Sequence, residues 1–396
     1  MRAPRLKVLL ATAAVLVPLV ATGCSSSTST DAGASRDCIT DFDASKDYFP
    51  DKSTIEDATG FTIDYHRSYQ VVTVAEPYPG AEPAKYVLVR CGAPTPKLTG
   101  DLAGAPTVQT PIRSMYSGST TQLPSMAALD RVDVVTGVAN ADYVSNQQVR
   151  DRISEGKVRG YADGTTVKTE DVITGHPDVL VSAGFDDPAY AKIAKAGIPV
   201  LADADWLEQS PLGRAEWIKF FAALTGTEKK AADTYSGIKK GYLEVAEKVK
   251  GAPKVDVLQG SVFSGKWTRP GGASYSSNLV EAAGGTSPWA DDTSTGSLEL
   301  SLETVIARQS GATVWIINNA DINTLKALFA EEPRYRAFTK ATSNVWNSTK
   351  AVSPSGANDF WERGVLRPDL VLGDLAALIH PELYPSHQFV FYQRLS

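Results

Sequence analysis

The chain has 396 residues, of which 43% are hydrophobic and 21% are charged, and its formal net charge at pH 7 is −6. This length and composition predict a globular protein with one large or two ordinary domains and a sizeable core. The acidic balance argues against a nucleic acid as a partner, because binding to phosphates requires a basic surface.

The N-terminal segment predicts a secretory signal that ends in a cysteine. Arg2, Arg5 and Lys7 precede an apolar run at residues 8–20, and three small residues come directly before Cys24. This order resembles a lipobox, at which a bacterial lipoprotein is cleaved and acylated. We therefore predict a signal peptide at residues 1–23 and lipidation of Cys24, for example by palmitate. A transmembrane helix is the alternative, but such a helix needs about 20 apolar residues.

Residues 24–36 predict a flexible tether, because residues 25–30 are all serine or threonine and offer no apolar surface to bury. No later stretch of the sequence is long and apolar enough to span a membrane. Cleavage of the signal would remove three positive charges and leave a mature chain with a net charge of about −9. The prediction is a globular body that a lipid anchors to a membrane.

The other two cysteines predict a disulfide bond. Cys38 and Cys91 remain as a pair in an oxidising compartment once Cys24 is acylated. A zinc site is the alternative, but two thiols without nearby histidines do not make one.

The predicted elements change character along the chain. The N-terminal part is rich in strands, predicted at residues 62–65, 69–74 and 86–90. Strands and helices then alternate, with strands at 108–110, 132–138, 179–181 and 199–201 and helices at 123–129 and 188–196. Short apolar strands that alternate with helices predict a mainly parallel α/β layer.

A second alternating run follows, with strands at residues 255–258 and 313–317 and helices at 276–283, 302–309 and 323–330. Between the two runs, residues 227–250 predict one helix of roughly 35 Å, which Gly251 and Pro253 end. The predicted fold is therefore α/β, with two Rossmann-like lobes joined by a single long helix. We assign residues 37–226 to the N-terminal lobe, 227–251 to the helix and 252–396 to the C-terminal lobe, whose last segment packs back. A stiff helix between lobes predicts small lobe motions.

Several segments, in this order, resemble the substrate-binding lipoproteins of ABC importers that take up iron complexes and cobalamin. These segments are residues 175–181, 197–200, 206–217, 279–285, 302–303 and 358–380. In that family, one long helix joins two α/β lobes. The likeness extends from residue 108 to the C terminus, whereas residues 38–90 match less clearly and their role stays open.

The resemblance implies a ligand cleft between the lobes, lined by the loops that leave the strand ends. The predicted ligand-binding residues are Arg113, Tyr116, Trp206, Glu208, Phe263, Lys266, Trp267, Arg269, Tyr275 and Trp361. Aromatic rings with a few cations suit a large, partly apolar and anionic metal chelate. A bare metal ion would need converging histidines and carboxylates instead, so neither a metal site nor a cofactor is predicted. Arg214 is predicted to be structural, paired with Glu208 or Glu216.

Members of this family dock on their permease through an acidic residue on each lobe. Glu303 occupies the matching position in the second lobe, and Asp187 is the candidate in the first. An acid in the first turn of a helix also interacts favourably with the helix dipole, so a local role is the alternative. The resemblance implies permease subunits with a cytoplasmic ATPase as partners, and a monomeric binding protein.

The predicted function is uptake of a ferric siderophore by a lipoprotein at the outer face of the cytoplasmic membrane. The cations Arg113, Lys266 and Arg269 favour an anionic ligand. Haem and cobalamin are alternatives, and Met115, Tyr116 or Tyr275 could supply the axial ligand that haem requires. A sensor or carrier lipoprotein without an importer is a further alternative. An enzyme is not predicted, because the sequence lacks the short motifs of hydrolases, metalloproteases and phosphate-binding loops.

Overall fold

A computed structural model describes residues 38–396. The predicted signal peptide, the predicted lipidation site Cys24 and the predicted tether lie outside the described residues. Within the described part of the chain, no helix combines the length and the apolar character that a membrane span requires.

The N-terminal strands form a sheet of their own. Its strands are β1 (Phe61–Tyr65), β2 (Tyr69–Val74), β3 (Ala84–Arg90) and β4 (Thr107–Thr110). They lie in sequence order, antiparallel from β1 to β3, while β4 runs parallel to β3. The strand predicted at residues 108–110 therefore belongs to this sheet and not to the following α/β layer. The predicted bridge between Cys38 and Cys91 is present and joins the start of the described chain to the end of β3.

The first lobe contains a parallel sheet with helices packed on it. The strands are β5 (Met115–Ser117), β6 (Val135–Val138), β7 (Arg159–Gly160), β10 (Val179–Ser182) and β11 (Val200–Ala202). Their order in the sheet is β11-β10-β5-β6-β7. A separate short hairpin is formed by β8 (Ala162–Asp163) and β9 (Thr166–Val167). The helices are α1 (Leu123–Ala128), α2 (Gln147–Ser154), α3 (Thr169–Gly175) and α4 (Pro188–Lys195). All four residues of β10 are buried, as expected for a strand that is covered on both faces.

Three helices follow the parallel sheet of the first lobe in sequence. They are α5 (Pro211–Glu216), α6 (Ile218–Thr225) and the 22-residue α7 (Glu228–Val249). Every residue of α6 is buried, and α7 buries a stripe that includes Tyr235, Ile238 and Tyr242. The spacing of three and four residues along this stripe is the helical pattern that the sequence showed. Helix α7 is the predicted connection between the lobes.

The second lobe repeats the parallel arrangement. Its sheet has the order β15-β12-β17-β18-β19, with β12 (Val255–Gln259), β15 (Gly285–Thr286), β17 (Val314–Ile317), β18 (Val345–Asn347) and the antiparallel β19 (Gln393–Arg394). A three-stranded antiparallel sheet of β13 (Ser261–Phe263), β14 (Lys266–Pro270) and β16 (Ser297–Leu300) was not predicted. The helices are α8 (Tyr275–Ala282), α9 (Leu302–Gln309), α10 (Leu325–Glu331), α11 (Asp359–Leu366) and α12 (Pro368–Ile379). The predicted fold class is confirmed.

The N-terminal sheet shares its core with the first lobe. Phe61 on β1 packs against Trp217 and Phe220, with ring centroids 4.7 Å and 6.3 Å apart. The loop before β1 is held by Glu216, whose buried carboxylate accepts the backbone N–H groups of residues 56–58 at 2.7–3.0 Å. Lys219, 2.5 Å from the Glu216 carboxylate, balances its charge. The sheet is thus a fixed part of the first lobe.

We predict that replacing Cys38 and Cys91 together with serine lowers the free energy of unfolding by about 4 kcal/mol, because the bridge closes a loop of 53 residues in the unfolded chain. Urea denaturation of the protein from residue 38 onward measures this loss. Reduction of the native protein should have the same effect, and the double variant should not respond to reductant. Equal stability of the oxidised native protein and the variant would contradict the prediction.

Candidate functional site

A cavity of about 830 Å³ lies between the two lobes. Its first wall is the segment after β11, residues 206–209, together with Arg214 from α5. Its second wall is built at the carboxyl ends of β12 and β17, from Gln259 and Asn318 among others. Ligand pockets in proteins measure roughly 300–1,000 Å³ and form where parallel strands end. We call this cavity the cleft.

Exposed aromatic side chains line the cleft. Trp206 is 37% exposed, Trp361 is 41% exposed and Phe263 is 73% exposed, and all three belong to its lining. Trp206 is held in place by Phe185, whose ring stacks on it at 5.3 Å, and by its indole N–H, which donates to the carbonyl of Ala183 at 3.1 Å. Large rings that remain partly exposed in fixed positions offer apolar area to a ligand.

Arg214 forms a buried ion pair in the first wall. Its Nε donates to Asp205 Oδ2 at 2.9 Å, and its guanidinium lies 5.1 Å from the ring centre of Tyr275. The structural role predicted for Arg214 fits this geometry, but the predicted partners Glu208 and Glu216 are wrong. Burial also raises the pKa of Tyr275 to about 12, so the phenol stays neutral at physiological pH.

Arg269 is the cation of the second wall. It is 2% exposed, and its Nη2 donates to Gln259 Oε1 at 3.3 Å and to Ser287 Oγ at 3.1 Å. Its guanidinium also lies 4.8 Å from the ring centre of Trp289. Within residues 38–396, no carboxylate comes within ion-pair distance of this guanidinium, and burial lowers its pKa to about 10. Arg269 therefore keeps a positive charge that the protein neutralises only from a distance.

Glu208 lines the cleft, but its carboxylate is occupied by the protein itself. Its Oε1 accepts the backbone N–H groups of Thr59 and Gly60 at 2.9 Å and 2.8 Å and the indole N–H of Trp217 at 3.1 Å. The side chain is 4% exposed. This geometry gives Glu208 a structural role in fixing the first wall to the N-terminal sheet.

Two predicted ligand residues of the first lobe lie away from the cleft. Tyr116 lies in the middle of β5, is 3% exposed and stacks on Tyr161 at 5.3 Å. Arg113 precedes β5, so it lies at the amino end of a strand whose carboxyl end faces the cleft. Its backbone N–H donates to Asp178 at 2.6 Å, and its Nη2 is 3.8 Å from the sulfur of Cys38. The prediction mistook the central strand of the sheet for a loop.

Two predicted ligand residues of the second lobe are also misplaced. Trp267 is fully buried between the lobe's strands and helices, and its indole N–H donates to the Gln259 carbonyl at 3.0 Å. Lys266 points outward and pairs with Glu299 at 2.6 Å. Neighbouring residues of a strand face opposite sides, and here Trp267 faces the core while Lys266 faces the exposed side. Trp206, Phe263, Arg269, Tyr275 and Trp361 do line the cleft, and their contact with a ligand stays a prediction.

The two predicted docking acids lie on the surface of different lobes. Asp187 caps α4, where its carboxylate accepts the N–H of Ala189 at 2.8 Å. Glu303 lies in the first turn of α9, and its exposed carboxylate is 2.7 Å from Arg334 Nη1. Both positions leave a carboxylate accessible, and docking by either stays a prediction.

The prediction missed several residues of the cleft. Among them are Ser274, Asn318 and Tyr392. Asn318 directly follows a buried strand, which is a signal that the sequence did carry. Tyr392 comes from the end of the chain and reaches the cleft only because β19 returns to the sheet, so no local signal marks it. Across the described residues, no three side chains of His, Cys, Asp or Glu converge in a metal-binding cluster.

The chain is similar to known proteins at two levels. A family model described as periplasmic binding protein matches residues 116–345, which is more than half of the chain. An uncharacterized lipoprotein of Methanocaldococcus jannaschii is 30% identical over 253 residues, which cover 62% of this chain and 58% of that relative. A second uncharacterized lipoprotein of the same organism is 23% identical over 314 residues, and this alignment covers 76% of the present chain and 77% of the relative. The matched part thus spans less than two thirds of the first relative.

Solved structures share the fold. A periplasmic binding protein from Veillonella parvula has a TM-score of 0.54 at 16% identity and covers 81% of this chain and 98% of its own. A periplasmic heme-binding protein from Pseudomonas aeruginosa has a TM-score of 0.52 at 16% identity and covers 72% and 98%. Identities this low establish the shared fold alone.

We predict that Glu208→Ala lowers the free energy of unfolding by about 3 kcal/mol, because it leaves two backbone N–H groups and one indole N–H without an acceptor. Glu299→Ala is the matched control, since it removes an exposed carboxylate that pairs with Lys266 and should cost less than about 1 kcal/mol. Urea denaturation measures both. If Glu208→Ala left stability unchanged, the structural role of Glu208 would be wrong.

Proposed function

The chain belongs to the periplasmic binding protein family, and from this membership we propose that it binds a metal chelate in the cleft and delivers it to an ABC permease. The observation that carries the proposal is the cleft itself, a cavity of about 830 Å³ between two α/β lobes with exposed aromatic rings on both walls. Such a site suits a large organic ligand, because rings supply buried apolar area and stacking contacts.

The ligand that we propose is a ferric siderophore with an anionic part. Of the three cations on which a preference for anions was predicted, only Arg269 lines the cleft. Because Arg214 is paired with Asp205, Arg269 is the cation of the lining that has no ion-pair partner among the described residues and can meet an anionic ligand. Removing a guanidinium from water without an ion-pair partner is costly, and an anionic ligand would offset that cost.

Haem and cobalamin remain alternatives within the same fold. Of the residues considered as axial ligands for haem, Met115 and Tyr116 are buried in β5. Tyr275 and Tyr392 line the cleft and carry a phenol oxygen. The heme-binding protein of Pseudomonas aeruginosa shares the fold at 16% identity, so haem belongs in any panel of test ligands.

The site of action that we propose is the outer face of the cytoplasmic membrane. The lipobox-like sequence before Cys24 supports a lipid anchor, and both relatives from Methanocaldococcus jannaschii are named lipoproteins. Permease subunits with a cytoplasmic ATPase are the proposed partners. A sensor or carrier lipoprotein would use the same cleft, and only transport distinguishes the two roles.

We predict that Arg269→Gln weakens the binding of an anionic ferric siderophore by about 10- to 100-fold, because charge-assisted hydrogen bonds contribute about 1.5–3 kcal/mol. The affinity for a neutral ferric chelate should change much less. Isothermal titration calorimetry measures both affinities. Lys266→Gln is the matched control, since Lys266 is a cation on the same strand that is not part of the cleft lining and pairs with Glu299. Equal losses for both chelates, or an equal effect of the control, would refute the role of the charge.

We predict that Asp187→Asn and Glu303→Gln together abolish uptake while the affinity of the purified protein for its ligand stays unchanged. These substitutions remove both charges, and asparagine preserves the cap of α4 because its side chain accepts the same hydrogen bond. Uptake of radioactive iron by cells that carry the variant measures transport. Asp233→Asn, on the exposed side of α7, is the control. Unchanged uptake by the double variant would refute the docking assignment.

A further inference from the structure

Helix α11 separates the cleft from a second cavity between the lobes. Phe360 and Trp361, at the start of the helix, line the cleft. Glu362 and Leu366, on another side of the same helix, line a cavity of about 500 Å³ whose opposite wall comes from α1 and from residues 145–147 of the first lobe. Leu366 also belongs to the hydrophobic core of the first lobe. Although α11 lies in sequence between β18 and β19, two strands of the second lobe, it packs against both lobes.

Glu362 ties this helix to the first lobe. Its Oε2 accepts the backbone N–H of Ser145 at 2.7 Å, and its Oε1 accepts the backbone N–H of Asn146 at 2.7 Å. These partners are more than 200 residues away in sequence. The side chain of Asn146 in turn caps α2 by accepting the N–H of Val149 at 3.2 Å. One carboxylate thus joins the helix that carries Trp361 to the start of a helix in the other lobe.

The geometry of this contact depends on the ionisation of Glu362. Each oxygen accepts one N–H group, and both bonds are charge-assisted while Glu362 is ionised. A proton on either oxygen removes the charge and turns that oxygen into a hydroxyl, which is a weaker acceptor, so one of the two bonds is weakened most. The side chain is 1% exposed, so the contact is almost fully shielded from bulk water.

The surroundings bring the ionisation of Glu362 into the physiological range. Burial raises the pKa of Glu362 to about 7, although the two N–H donors and Arg150 on α2 act to lower it.

The neighbouring charges on its own segment are Asp359, Arg363 and Arg367, and Arg367 is paired with Asp369 on α12. On α5, Arg214 and Glu216 are engaged by Asp205 and Lys219. Residues 120–128, which pack against α11, carry no ionisable side chain.

We propose that Glu362 is a positioning residue whose carboxylate holds α11, and with it Trp361, in place against the first lobe, and that protonation of this carboxylate releases the contact. Its importance for ligand binding rests on the proposed function of the cleft. The contact itself does not, because both of its ends belong to this chain.

We test the proposal by nuclear magnetic resonance on the ¹⁵N-labelled, ligand-free protein between pH 5.5 and 8.5. The backbone N–H signals of Ser145 and Asn146 report the contact, and the indole N–H signal of Trp361 reports the cleft. We expect the three signals to move together with a midpoint near pH 7, and the amide protons to move upfield as the pH falls and the hydrogen bonds weaken. In Glu362→Gln, which resembles the protonated acid, the signals should not titrate.

Asp359→Asn is the matched control, since it removes an acid from the same helix that pairs with Arg363 and not with the first lobe. This variant should keep the titration of all three signals, with a midpoint at lower pH because the charge of Asp359 helps to raise the pKa of Glu362. Absence of a common midpoint in the native protein would overturn the proposal even if Glu362→Gln did not fold. If the amide signals of Ser145 and Asn146 titrate while the indole signal of Trp361 stays constant, the positioning role is overturned. Because no ligand is added, none of these outcomes depends on the identity of the ligand.

Discussion

Glu216 accepts the backbone N–H groups of three successive residues, 56–58, from a segment about 160 positions earlier in the chain. The same type of contact recurs where other distant segments meet. Glu208 holds residues 59 and 60, Glu362 holds residues 145 and 146, and Asp374 holds residues 390–392. All four carboxylates are at most 4% exposed. A buried carboxylate is costly unless its oxygens are satisfied, and charge-assisted bonds to several N–H groups supply that compensation.

The cleft depends on these contacts because they position its walls. Glu208 fixes the segment with Trp206 to the N-terminal sheet, Glu362 fixes the helix with Trp361 to the first lobe, and Asp374 fixes the segment that ends with Tyr392. The long helix α7 sets the separation of the two lobes. Aromatic rings that stay partly exposed are held in place by the backbone behind them, so a ligand would meet a surface that is largely formed in advance.

The periodicity of the sequence was sufficient to predict some strands of each parallel sheet and the helix that joins the lobes. Residues 179–181 and 314–317 are uninterrupted apolar runs, as buried parallel strands require, and α7 shows a helical stripe with Tyr235, Ile238 and Tyr242. The position of β5 was harder to predict. Residues 115–117 form a strand too short to show a period, so Tyr116 was mistaken for a loop residue and Arg113 was placed at the wrong end of the sheet.

The other differences between the predicted and the observed site residues have two causes, which are the direction of side chains on a strand and contacts with partners that are distant in sequence. Lys266 and Trp267 were both predicted to contact ligand, but adjacent residues of a strand cannot face the same side. Glutamates are usually solvated, so nothing local marks Glu208 or Glu362 as buried acceptors of backbone N–H groups. These contacts join residues 149 and more than 200 positions apart, and only the assembled fold brings the partners together.

The measurement that tests the central claim most directly is a tryptophan-fluorescence titration of residues 38–396 with ferric siderophores, haem and cobalamin, and with each siderophore free of iron. Trp206 and Trp361 should report ligand, whereas Trp217, Trp267 and Trp315 are buried in the core and supply a constant background. We predict saturable quenching by a ferric siderophore and not by its iron-free form, and loss of that quenching when Trp206 and Trp361 are both replaced by phenylalanine. No quenching by any ligand of the panel, or quenching that the double variant retains in full, would contradict a chelate-binding cleft between the lobes.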